Sequence, residues 1–550
     1  MSSANPNQAA HGPRSFPRRF DGFHTRRAGL TRSLSCEDGA VAPALAILFA
    51  TVMLAAAVAV EHNRIITEMG RDQRAVDAAV LAAADRLGMD DQESAGQAVA
   101  LAFYAANRKP STPSTLGDVT FDADTGEVSA TTNTTWHATL LRSLEPWFPG
   151  AGQDRTLNKS ATVSKGSGSV ELALVLDNSG SMQGQYIEDL RTAASNLLAT
   201  VFAGVDGTDR VKVGVIPFAA SVNVGAVNKN ASWIDGAGQA PTHFENVSES
   251  RTRFQLFEDL GTNWAGCVEA RAAGLDVTDA EPVSGSTLFV PMFAVDEPGD
   301  AGSNSLGYTN SYLDDDGGTC EPYHRTCLNY SRRGKCTEWQ VTRLPNAEAQ
   351  ARTCKYSGEL PQYTAGPNAM CTTQPLLPLN STKSEVEAAV TAMQANGNTN
   401  IKEGVAWGWR VLSPGAPFTE GREFGSEDNR KIMILMTDGE NFLSSAGNHN
   451  KSIYAAQGYA AKGRLGTTYN ASGYTSYLAA RTRDACANAK AAGITIYTVA
   501  FRLENDPTTQ ALLRDCASDP DNAFTASDGS GLIQSFRNIG REISSLRISG

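Results

Sequence analysis

The chain has 550 residues, 41% apolar and 19% charged, with a formal net charge of -12. That length exceeds what one ordinary hydrophobic core serves, so at least two folded units are expected. The acidic excess argues against a nucleic-acid partner, which needs a basic face to neutralise phosphates.

The charge is unevenly placed. Residues 1–39 form a basic leader in which Arg14, Arg18, Arg19, Arg26, Arg27 and Arg32 outnumber Asp21, Glu37 and Asp38. "AVAPALAILFATVMLAAAVAV", residues 40–60, follows without a single charge. As a helix it would be roughly 31 Å long, enough to cross the hydrocarbon core of a bilayer. The arginine-rich side is expected to stay in the cytoplasm, which places everything after Val60 outside it. A cleavable signal peptide ending near Ala57 and Ala59 is the alternative, but the apolar run and its leader are longer than such signals need.

Ile65, Met69, Val76, Val80, Ala83 and Leu87 then fall on one helical stripe, so the membrane helix is expected to continue outward as an amphipathic one, pilin-like or simply a stalk. Short alternating runs such as "DVTFDA" and "GEVSATTNTTW" complete a small α+β region over 61–163, and "SKGSGS", 164–169, reads as a linker. From 170 to 550 short apolar strands alternate with helical stretches: "VELALVLD", a helix at 186–203, "VKVGVIPFA", helices at 383–395 and 401–412, "KIMILMTD", a helix near 476–491, "ITIYTVAF", and a closing helix at 531–546. This is the pattern of an α/β fold, a doubly wound and mainly parallel sheet of Rossmann-like type. Residues 225–380 show no sustained periodicity and are expected to be a Cys-rich insertion. Within it "LDDDGG", 313–318, lacks the spaced acids of a calcium loop and reads as a solvated acidic turn. Trp407 and Trp409 lie on opposite sides of their helix, with core packing expected for at least one.

Cys36 lies in the leader, leaving Cys267, Cys320, Cys327, Cys336, Cys354, Cys371, Cys486 and Cys516 outside. An even number in an oxidising compartment allows up to four disulfides. Cys486 and Cys516, flanking "ITIYTVAF", are the preferred pair.

In an open parallel sheet ligands bind beyond the carboxyl ends of the strands. Asp177, Ser179 and Ser181 follow one apolar strand, Asp438 ends another, and Thr399 precedes a helix. Two carboxylates and three hydroxyls are hard oxygen donors, suited to Mg²⁺, Mn²⁺ or Ca²⁺ and not to zinc. With only two acids the cation stays electrophilic and short of ligands, so it can accept a carboxylate from another molecule. D-x-S-x-S at 177–181, Thr399 before its helix and T-D-G at 437–439 resemble the metal-ion-dependent adhesion site (MIDAS) of von Willebrand factor A domains. The resemblance implies that Asp177, Ser179, Ser181, Thr399 and Asp438 are the metal residues, with Mg²⁺ foremost.

"GAVAPALAIL", "DQRAVDAAVLAAADRL" and "WGWRVLSPGAPF" resemble TadG-like Flp (tight adherence) pilus-assembly proteins. That resemblance implies a single-pass protein of the bacterial inner membrane, its C-terminal domain periplasmic or surface-exposed, which helps assemble or anchor a pilus and supports adhesion. The implied partners are pilus-assembly or envelope proteins that offer an acidic residue to the metal. An envelope scaffold that needs no metal and a secreted adhesin remain alternatives.

Catalysis finds little support. The seven histidines show no H-E-x-x-H or other paired spacing, and no Walker-type phosphate loop occurs, so a binder is expected in place of an enzyme.

Overall fold

The computed structural model describes residues 41–84, 86, 92–108, 112–122, 127–164, 168–248, 250–302, 307–315, 320–321, 323–358, 360, 366–426, 428–466 and 469–548. The basic leader, Leu87 of the helical stripe, residues 165–167 of the linker and 316–318 of the acidic turn lie outside them. The chain forms two compact units: Met1–Arg74 with Arg108–Thr115 and Thr132–Lys159, and Ala75–Asn107 with Leu116–Thr131 and Ser160–Gly550.

The N-terminal elements are α1 (Val41–Ala84), α2 (Gln92–Asn107), β1 (Ser114–Leu116), β2 (Thr120–Asp122), β3 (Glu127–Trp136) and β4 (Arg155–Ser164). α1 is the one helix among the described residues that is long and apolar enough to cross a membrane. Its 44 residues span roughly 66 Å, about twice a bilayer core. In the second unit Ala75, Val76, Ala79, Val80 and Ala83 of α1 share a core with Ala100, Tyr104, Val119, Val128 and Ala130. In the first unit the expected stripe fails. Ile65 and Met69 are only half-buried, whereas Glu61, Glu68 and Asp72 are buried. Polar partners explain the reversal: Asp72 accepts from Thr134 Oγ1 at 2.6 Å and pairs with Arg108, and Glu61 accepts from the Thr139 amide at 3.0 Å.

The second unit's main sheet is built from β5 (Ser169–Asp177) and β6 (Val211–Phe218), with α3 (Gln185–Val201) between them. A long excursion follows, containing α4 (Arg253–Asp259), β7 (Tyr323–Tyr330), β8 (Cys336–Arg343) and α5 (Asn346–Ala351). The sheet resumes with β9 (Leu377–Asn380), α6 (Lys383–Ala392), α7 (Ile401–Leu412), β10 (Asn429–Thr437), α8 (Ala471–Ala491), β11 (Thr495–Phe501), α9 (Pro507–Cys516), β12 (Ala523–Ala526) and α10 (Gly529–Ile548). Strand order is β12-β11-β10-β5-β6-β9, parallel throughout except for β9, which runs antiparallel to β6. Leu377–Asn380 therefore belongs to the sheet and not, as the composition of 225–380 suggests, to the insertion. Its four residues are too few to show a period.

Every residue of β5 is buried, as expected for a central parallel strand covered on both faces. Side chains alternate across it. Leu172, Leu174 and Leu176 meet α3 and α10 through Leu190, Leu197, Leu532 and Phe536. Ala173 and Val175 face α7, α8 and α9, together with the insertion's Trp233, Phe257 and Phe289. Both Trp407 and Trp409 are in that core. α7 approaches β5 closely because it has no side chain at Gly404 and Gly408. A Cβ at the latter would stand 2.5 Å from Val175 Cγ2.

All eight outer cysteines are paired, as Cys267–Cys371, Cys320–Cys354, Cys327–Cys336 and Cys486–Cys516. The acidic turn departs from its expectation of a solvated loop. Asp315 is buried, accepts from the Gly299 amide at 2.9 Å and lies 3.4 Å from Lys355 Nζ, which itself pairs with buried Asp296 at 2.5 Å.

Candidate functional site

The chain leaves β5 toward β6 on one side and returns to β10 on the other, so the gap between the ends of β5 and β10 is the topological switch point of the sheet. Loops diverge there and leave a crevice. Asp177 ends β5 and Asp438 follows β10 directly.

Backbone bonds stitch three loops around this crevice. The Gly180 amide donates to Gly397 O and the Asn396 amide to Asn178 O, both at 2.8 Å, which ties the D-x-S-x-S loop to the loop before α7. The Phe442 amide donates to Thr399 O at 2.8 Å, tying that second loop to the segment after β10. Asn400 caps α7 by accepting from the Glu403 amide at 3.3 Å, and Asn441 Oδ1 accepts from the Ile401 amide at 2.9 Å. These two caps settle free amides of the first turn and so fix Thr399 one residue before the cap of the helix.

The side chains converge accordingly. Ser181 Oγ donates to Asp438 Oδ1 at 2.6 Å, and the Ser179 and Ser181 hydroxyls are 3.0 Å apart. Thr399 and Ser181 face a common point, since a Cβ on Gly439 would lie 3.8 Å from Thr399 Oγ1 and 3.9 Å from Ser181 Oγ. Asp177, fully buried, accepts from the Ser179 amide at 2.8 Å and from Thr437 Oγ1 at 2.5 Å. All five residues singled out in the sequence thus stand on three loops around one crevice, which opens to solvent at exposed Ser181. Thr437 was not singled out, although it opens the T-D-G run. Asn400 and Asn441 carry a weaker signal, as polar residues beside the helix start.

Burial pushes the Asp177 carboxyl up to about 7, reinforced by the Asp438 charge and opposed by the Thr437 and Ser179 hydrogen bonds. Asp438 is raised too, mainly by burial, against the bond from Ser181 and the more distant Arg502. Neither carboxylate makes an ion pair among the described residues. Two mutually repelling acids with hydroxyls between them suit a hard cation, which would supply the missing positive charge. No group of three or more His, Cys, Asp or Glu side chains comes together as a metal site among the described residues. Here two carboxylates and three hydroxyls make up the donor set.

Residues 368–538, from just before β9 to within α10, match the von Willebrand factor type A domain family. The sheet and its helices are a von Willebrand factor A fold. β5 and its D-x-S-x-S loop lie before the matched stretch, cut off from it by the insertion. No curated protein matches the chain. Among solved structures, A-domain likeness is found in the vWF domain of the type V pili tip protein Mfa5 from Porphyromonas gingivalis (10% identity, 69% of this chain and 96% of that one, TM-score 0.33). The pilus adhesin SpaC from Lactobacillus rhamnosus GG is similar at 13% identity over 80% of this chain, with a TM-score of 0.31; this chain spans about a third (35%) of SpaC's length. Proximal thread matrix protein 1 from the mussel byssus, with a zinc-occupied MIDAS motif, aligns at 12% identity over 68% of this chain and 48% of that one, with a TM-score of 0.28.

Proposed function

We propose that the protein is a membrane-anchored, TadG-like component of Flp pilus assembly or anchoring, whose A domain binds an acidic residue of a partner protein through a divalent cation. One observation carries the reading: Asp177, Ser179, Ser181, Thr399 and Asp438, from three distant parts of the chain, gather oxygen donors at the switch point, with no basic side chain paired to them among the described residues. These five residues would hold the cation, Mg²⁺ foremost and Mn²⁺ or Ca²⁺ next. The cation supplies an electrophilic position for the partner's carboxylate. The protein's own part is to hold the donors in place and keep Asp177 from water.

The anchoring part rests on α1, with the basic leader setting an N-terminus-in orientation and the remainder in the periplasm or on the surface. Four disulfides outside the membrane suit that oxidising side. A binding role also fits the buried acid–imidazole pair of Asp235 and His243. His243 Nδ1 lies 2.9 Å from Asp235, but its Nε2 accepts the Arg253 amide at 3.1 Å, so both nitrogens of this buried ring are engaged in structure.

Calorimetry on the full chain with Mg²⁺, Mn²⁺ and Ca²⁺ tests the site. Saturable uptake that disappears in Asp177→Ala supports it, and absence of uptake of any of the three overturns it. Pilus assembly that proceeds undiminished in cells carrying Asp177→Ala would transfer the role to a metal-free scaffold.

A further inference from the structure

β7 and β8 form a sheet of two strands alone, stapled by Cys327–Cys336. No residue of either strand is buried, and Tyr323, Leu328, Tyr330, Trp339 and Val341 are between 47% and 69% exposed. A lone hairpin is marginal in water, and so many open aromatic and aliphatic side chains on one element mark an interaction surface. The register sets Tyr323 opposite Arg343, Arg325 opposite Val341 and Cys327 opposite Trp339. Opposed residues share a face, so one side of the ribbon carries Tyr323 and Trp339 together with Arg325 and Arg343. Bulges interrupt the ladder toward the turn, leaving Tyr323–Cys327 and 339–343 as its regular part.

The charge of this ribbon runs against that of the molecule. Between Tyr323 and Arg343 stand Arg325, Arg332, Arg333, Lys335 and Arg343 against Glu338 alone, in a chain of net charge -12; Arg325 pairs with the neighbouring Glu321 at 2.8 Å and Arg343 lies 3.8 Å from Asp315. Arg332, Arg333 and Lys335, at or beside the turn, form no ion pair among the described residues.

We propose that the hairpin is a docking element that takes an extended acidic segment of a partner protein as its third strand. Unpaired strand edges offer N–H and C=O groups at the ladder spacing, and only another polypeptide returns them in alternation. The basic side chains select an acidic segment by charge. Edge-to-edge pairing of two copies would set basic ribbon against basic ribbon and is opposed by the same charges. The disulfide holds the strands ready, which lowers the ordering cost of docking. The site uses none of the metal residues, so it stands independently of the cation reading.

The test uses the full chain in nanodiscs of uncharged lipid, in chelator, with a labelled short peptide of alternating Glu and Val as probe. Saturable binding is expected, with slowed amide hydrogen exchange across 323–343. A version of the peptide interrupted by proline, and one with Lys for Glu, should each bind at least about tenfold more weakly, as should the unmodified peptide to Arg332→Glu/Arg333→Glu. That double variant should retain the parent's thermal midpoint, since both side chains are exposed. Equal binding of the proline-interrupted peptide, unchanged exchange in the hairpin, or capture of phosphatidylglycerol vesicles without capture of the peptide would each overturn the proposal.

Discussion

In the proposed function Asp177 gives up stability for binding. Its carboxyl, pushed up to about 7, keeps a proton in the folded chain that it has lost in the unfolded one above about pH 4. The sign follows: between about pH 4 and pH 7 the folded state binds more protons, so this group's contribution to stability falls as pH rises, by an amount on the order of a few kcal/mol. In chelator, Asp177→Asn should therefore be more stable than the parent at pH 8, with the gap closing toward pH 5. Thermal unfolding at the two pH values checks this, and a gap that widens on acidification would refute it. Added Mg²⁺ should raise the parent's midpoint more at pH 8 than at pH 5 and leave that of Asp177→Asn in place. Thr399→Val removes a hydroxyl at constant shape. It should weaken cation uptake by about tenfold, a little over 1 kcal/mol, without lowering the chelated protein's midpoint by more than a few degrees. The positions of the acids were readable in the sequence because Asp177 closes one apolar run and Asp438 follows another, with Ser179 and Ser181 in the short loop after the first. Thr437 and the two capping asparagines were not, since a second layer of support leaves no periodicity of its own.

At the level of elements, α7 is where packing overrides propensity. Alanine in place of an exposed helical glycine stabilises by about 1 kcal/mol. At Gly404 an added Cβ would meet Phe218 Cδ1 at 2.7 Å and Val175 Cγ1 at 2.9 Å, and at Gly408 it would meet Val175 Cγ2 at 2.5 Å. Gly404→Ala and Gly408→Ala should each destabilise by about 1–3 kcal/mol, measured by denaturant unfolding. A gain in either would mean that β5 and α7 are looser than their burial implies. The sequence reading placed α7 at 401–412, the bounds found here, because a capped apolar helix announces both ends. β12, with four residues, and α9, with a nearly even mixture of polar and apolar positions, carry no such signal. The β7–β8 hairpin was invisible for a different reason. It buries neither face, so no hydrophobic alternation marks it.

For the molecule as a whole, the cysteines divide by the length of chain they enclose. Cys267–Cys371 spans 104 residues and Cys327–Cys336 only 9. On the chain-entropy account the first should contribute about 5 kcal/mol and the second at most about 3. The hairpin staple also lies in an element with no buried residue. Cys267→Ser/Cys371→Ser should thus lower the main unfolding midpoint sharply, and Cys327→Ser/Cys336→Ser should scarcely move it. Equal shifts would show that the hairpin unfolds with the core. The membrane-length helix and the alternation of strands and helices were readable in outline, while the excursion between β6 and β9 was readable only as a break in that alternation.

The order of the strands bears on tension. β5 begins where the chain arrives from its N-terminal part and ends at Asp177, and it is flanked along its length by β10 and β6. Under the proposed function, a pull on a partner held at Asp177 would enter the sheet at the carboxyl end of this one strand. Both flanking ladders then resist by sliding, with their bonds loaded together instead of opening one after another. β5, like β10, is paired along both edges, so drawing it out would break two ladders at once.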